Sequence, residues 1–239
     1  MRAHPAATVI PFISARFAAL ALVCGLGLSA CTSGSETTSP GAGAEATPAE
    51  PVDAWAVHEA LEQQIAGPGA SESERKAALE QVRLAAVDNS AGYAYARASV
   101  AGRLAETRGL KALKLLEEMR DWCEESIARD ATFEGMAATR MLGTLHALAG
   151  QHFDGGDSEY GLELLESVVD AHADVPRNHL RLAEGYVALG DPESAFEGLC
   201  TAVAGRSELE AAEAVLLDGL LEEIGGADLL PCDSAEAAP

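Results

Sequence analysis

Positive charge is scarce in this chain: 16 Lys and Arg stand against 38 Asp and Glu, giving a formal net charge of -22. So anionic a surface repels phosphate backbones and anionic headgroups, which excludes nucleic acid as a partner. Aromatic residues make up only 5% and β-branched runs are few, while Ala, Leu and Glu abound; the balance favours helices and leaves no convincing strand. Long hydrophobic runs are lacking too. The apolar run at 17–28, behind Arg16, falls short of the about 20 residues that a membrane span needs. There is no CxxC, no HExxH and no Cys/His zinc spacing, so no metal site is expected. GxSxG, P-loop and Rossmann glycines are missing as well. Carboxylates are so common here that a pair of them carries no information about acid–base work. The expectation is a protein that is not an enzyme and takes no cofactor.

What is present begins with an address. A basic start, a short apolar centre and small residues before Cys31 have the form of a secretory signal. Leu28-Ser29-Ala30-Cys31 resembles the lipobox of bacterial lipoproteins. The resemblance implies that residues 1–30 are a signal peptide removed on processing, and that Cys31 carries acyl chains that hold the protein to a membrane. The other reading is an uncleaved helix over 8–30. Pro11 would break it, and Arg16 within the span would cost about 2.5–3.5 kcal/mol. Because Thr32 and not Asp follows the cysteine, the resemblance further implies sorting to the outer membrane, facing the periplasm. Residues 31–52 are mostly Ser, Gly, Thr, Ala, Pro and Glu and read as a flexible linker with a reach of roughly 25 Å. Residues 53–239 form one helical domain.

Within that domain, GGDSEYGLELLESVV from Gly155 and LGDPESAFEGLCTAV from Leu189 align without gaps at an offset of 34 residues, Gly156 on Gly190 and Asp157 on Asp191. That period is a helix-turn-helix repeat length. LAEGYVALGDPESAFEGLCTA supplies Leu182, Ala183, Tyr186, Gly190, Ala195, Leu199 and Ala202 at the places of the tetratricopeptide pattern, which it resembles. Ala183 and Ala195 would let two helices approach, Gly190 would end the first at a left-handed cap, and Asp191 would cap the second. Upstream, helices are expected at 52–66, from a Ser71 cap to about 87, over 91–108, and along one long segment ending near Asp130; a last helix is expected over 207–224. The predicted fold class is all-α: stacked antiparallel helix pairs, a tetratricopeptide-like α-solenoid with a C-terminal capping helix.

The order Trp122-Cys123-Glu124-Glu125-Ser126, then Phe133-Glu134-Gly135, Leu142-Gly143, a looped turn, Asn178 and Leu182-Ala183-Glu184 resembles the T-component family of TRAP transporters and its lipoprotein relatives. Two functions follow as expectations. The first is a membrane-anchored scaffold that binds a protein or peptide partner. The second, implied by the resemblance, is an accessory component that handles a solute in such a transport system.

Three details remain. Of Cys123, Cys200 and Cys232, an intramolecular pair, if one forms, is expected between Cys200 and Cys232, pinning the tail to the stack. The loop 152–159 reads either as a calcium-holding turn or as an inserted turn in which Asp157 caps a helix. The contact face is expected on the first helices of the repeats, at Arg140, Thr144, Arg177, Asn178, Arg181 and Glu184. Beyond residue 140 the only cations are Arg177, Arg181 and Arg206. Arg177 and Arg181 either grip a carboxylate-bearing partner or neutralise acids such as Asp174 and Glu184.

Overall fold

In the computed structural model, residues 51–232 are described. The expected signal peptide at 1–30, the expected acylation site at Cys31 and nearly all of the expected linker at 31–52 lie outside them. Among the described residues the chain forms nine α-helices and no strand. They are α1 (Ala54–Ala66), α2 (Glu72–Leu84), α3 (Ala91–Ala105), α4 (Leu113–Arg129), α5 (Phe133–Ala149), α6 (Ser158–Ala171), α7 (Pro176–Ala188), α8 (Phe196–Ala204) and α9 (Ala211–Glu223).

Local chemistry sets most of the boundaries. Asp53 caps α1 by accepting from Trp55 N–H at 2.9 Å. Ser71 and Glu74 close a reciprocal capping box on α2, and Ser90 caps α3 through Tyr93 N–H. Asp157 Oδ1 accepts from Glu159 and Tyr160 N–H at the start of α6, so this carboxylate serves the helix cap. Gly190, with φ +84°, ends α7: its N–H bonds Val187 O and the next N–H, from Asp191, bonds Tyr186 O, the paired bonds of a left-handed helix stop.

Some bounds differ from the sequence reading. α2 stops at Leu84 and not near 87, because Ala85 is already extended at ψ 145°. α3 gives way after Ala105 to turns that bond three residues back. The leading turn of the second repeat helix, 192–195, is likewise tight, and Asp191 accepts from Ser194 N–H at 3.3 Å before regular α8 begins at Phe196. The last helix starts at Ala211, where Glu210 N–H donates to Glu213 Oε2. The core leucine of α7 is Leu180, fully buried, whereas Leu182 is only half-buried.

Helices pack in sequential antiparallel pairs. α3 lies on α4, α5 on α6 and α7 on α8, while α1, α3, α5, α7 and α9 touch one another in succession along one side. The apolar core is correspondingly divided. Leu61, Leu79, Val82, Val100, Leu104 and Leu115 hold the first four helices together, and Leu180, Leu199, Leu217 and Leu220 hold the last three. Between them Ala98, Cys123 and Leu142 join α3, α4 and α5. Burial pushes the Cys123 thiol far up, so it is protonated and behaves as a small apolar filler. Trp55 and Trp122 both pack partly buried against the first core, Trp122 with the Arg97 guanidinium 4.4 Å from its ring. Cys200 in α8 and Cys232 beyond α9 are joined by a disulfide, their Cα atoms 5.3 Å apart.

His146 on α5 is buried at the base of the 150–157 turn, flanked by Phe153 and Tyr160. Its Nδ1 accepts the Asp157 N–H at 3.1 Å, which puts the proton on Nε2, itself buried without a partner. Burial lowers its pKa from the ordinary 6.5, and does the same for His58, where Glu62 pulls the other way. A folded pKa below the unfolded one means that the neutral ring's contribution is complete above about pH 6.5 and is lost as pH falls from there through the folded value. Ring-resolved NMR titration should place both midpoints below 6.5. A midpoint at or above it for His146 would contradict a ring buried in its neutral form.

Candidate functional site

α5 opens in an unusual way. Glu134, Gly135 and Met136 all adopt left-handed backbone, with φ of 47°, 60° and 63°, before right-handed helix resumes at Ala137. For the two non-glycine residues this costs about 1–2 kcal/mol each, so the surrounding packing must hold the turn in place. Facing it is the start of α7, where Pro176 occupies the first turn and the extended Val175 offers no side-chain cap. Between these elements and the turn before α9 lies a hollow of about 310 Å³.

Its cationic wall is Arg140. The guanidinium is half-buried, and its Nη1 donates to Asn178 Oδ1 at 3.1 Å and to Gly135 O at 3.4 Å. Among the described residues it has no carboxylate partner within ion-pair distance. Burial lowers its pKa, as do the nearby Arg177 and Arg181 charges, against the pull of Tyr95 and Glu213. A charge in this position is held at a loss, which an incoming anion would recover.

Asn178 organises the wall. It is 1% exposed, and while Oδ1 accepts from Arg140 its Nδ2 donates to His172 O at 3.2 Å. Both ends of the amide are thus satisfied, which fixes its orientation and aims the guanidinium. Arg177 also lines the hollow, but two glutamates on the far side engage it: Glu210 Oε1 at 3.2 Å and Glu213 Oε1 at 3.6 Å.

Of the six residues expected on the contact face, the structure brings Arg140, Arg177 and Asn178 together in one hollow. The other three do not line it. Thr144 Oγ1 bonds back to Arg140 O within α5, and Arg181 Nη1 pairs with Glu184 at 2.8 Å one turn along α7. The sequence reading missed Glu134, His172 and Glu208, which also line it. The Pro176 signal for a helix start was available at that edge, but nothing in the sequence marks a left-handed turn at Glu134.

A wider depression of about 430 Å³ lies between α1 and α2, walled by Ala56, Ala60, Ala77 and Ala78. Its Glu74 is already committed to Ser71 and to Gln64 Nε2, so it presents less unpaired chemistry. Among the described residues no three His, Cys, Asp or Glu side chains converge as a metal site. Compared with known proteins, the chain matches no family model and no curated protein.

Proposed function

We propose that the protein is a lipid-anchored helical-repeat scaffold of the cell envelope, tethered through Cys31, whose inner helix face binds a carboxylate-bearing protein or peptide partner around Arg140. One observation carries this reading: a half-buried guanidinium, positioned by Asn178, faces a hollow and forms no ion pair with any described carboxylate. Guanidinium grips carboxylate through parallel, charge-assisted hydrogen bonds. The tetratricopeptide-like repeat, with α7, α8 and the Gly190 stop as its clearest unit, supplies the inner face. No catalytic step is assigned to the site.

A second reading rests on size. A volume of about 310 Å³ is at the lower end for small-molecule pockets, which favours a solute-handling accessory role of the kind that the TRAP T-component resemblance implies. The test is common to both readings. Small carboxylates and peptides with free carboxylates are screened for stabilisation of the folded protein, a ligand that binds only the native state raising its melting temperature. A carboxylate that stabilises the wild type should lose about 30-fold or more in affinity with Arg140→Gln, and none with Lys76→Ala, an exposed cation paired only with Glu80. Equal stabilisation of Arg140→Gln would refute the assignment.

A further inference from the structure

We infer that the hollow takes a small zwitterion, one molecule carrying both an ammonium and a carboxylate, with free α-amino acids as the simplest class. This rests on the carboxylate reading of Arg140 and adds the other half of the ligand. Three ionic side chains on the lining stand apart from one another. Arg140 has no carboxylate partner, and neither the Glu134 nor the Glu208 carboxylate makes a hydrogen bond or ion pair with any described residue. Opposite charges therefore face one hollow of about 310 Å³ without closing on each other, although elsewhere in the molecule arginines find their acids at 2.6–2.8 Å. The gap accepts a group that bridges them.

The backbone explains why they do not collapse together. Glu134 is set by the left-handed turn at φ 47°, and Arg140 is fixed by Asn178, which is buried and tied to His172 O. Glu208 sits on the separate short turn before α9. The remaining cation, Arg177, is neutralised by Glu210 and Glu213, so the free charge on the lining is one cation and two carboxylates. A ligand with only a carboxylate gains Arg140 but meets two acids of its own sign, and like-charge juxtaposition selects against it. Adding an ammonium turns both repulsions into attractions. A hollow of about 310 Å³ has room for a small molecule of this kind.

The test is calorimetric titration of the intact processed protein with each of the twenty L-amino acids. The tightest binder is then compared with its deaminated acid and its decarboxylated amine. The amino acid should bind about tenfold or more tightly than either half, since each loses one charge-assisted contact. Glu134→Gln with Glu208→Gln should reduce the preference over the deaminated acid to about threefold or less while leaving the acid bound. Both substitutions are at exposed positions, and circular dichroism melting verifies the fold. If the deaminated acid binds wild type as tightly as the amino acid, or the preference survives in the double variant, the zwitterion inference is wrong and the carboxylate reading stands. If neither acids nor amino acids bind, both fall.

Discussion

Gly161→Ala is expected to lower the unfolding free energy by about 3 kcal/mol, at the upper end of what overpacking usually costs. A Cβ on Gly161 would stand 2.4 Å from Ala147 N and 2.8 Å from Gly143 O. These are backbone atoms of the neighbouring helix, so no rotamer change relieves the clash and α5 and α6 must separate. The contrast is Gly102→Ala, also inside a helix, where the nearest atom is Met119 Sδ at 3.0 Å, on a flexible chain. Both substitutions gain the same helix propensity, about 1 kcal/mol, so the difference between them isolates the packing. Urea unfolding of the two variants side by side reads it directly. Gly161→Ala as stable as Gly102→Ala would show that α5 and α6 are not in backbone contact.

Replacing both Cys200 and Cys232 with Ser should cost about 3–4 kcal/mol in the chain-entropy view, given their separation of 32 residues. The loss should be local. The bridge ties α8 to the segment after α9, where Leu230 packs against the Leu199–Leu217–Leu220 core, and the first four helices have a core of their own. Hydrogen exchange should therefore quicken in α7, α8 and α9 and stay unchanged in α1 to α4. Uniform acceleration along the chain would instead mean that the stack unfolds as one unit. Unchanged protection in α8 and α9 would mean that the bridge contributes nothing there.

The features legible in the sequence are those decided within a few residues. The Gly190 stop, the Ser71 and Asp157 caps and the apolar rhythm of α7 and α8 each depend on side chains within one or two turns, and they gave the helical pairs. Features decided across the stack were not legible. Glu134 and Met136 adopt a conformation that local sterics disfavour, so packing alone selects it. The meeting of Gly161 with Gly143 depends on which helix lies opposite. Asp174 is the nearby acid for Arg177 in the sequence, yet its acids, Glu210 and Glu213, come from the cap and first turn of α9. The reverse holds for Arg181, whose Glu184 partner one turn away was readable and which the structure keeps out of the hollow. The place of Arg140 on a first repeat helix was legible; that it would lack an ion-pair partner required the positions of every neighbouring helix. The start of α9 was misjudged because Glu210 and Glu213 form a cap from a residue type outside the usual Ser, Thr, Asp and Asn set.

The succession of contacts from each helix to the next also bears on how the chain acquires its form during synthesis. Pairings between sequence neighbours need little loop closure before they are rewarded, which is the condition for rapid folding. The first four helices own their core, so they can consolidate while the rest is still being made, and each later pair can be added to a finished edge. The hollow beside Arg140, assembled from α5, α7 and the turn before α9, is completed only near the end of that sequence. The Cys200–Cys232 bridge can close only once Cys232, beyond α9, has followed, so oxidation fastens the end of the stack after every element of the hollow has emerged.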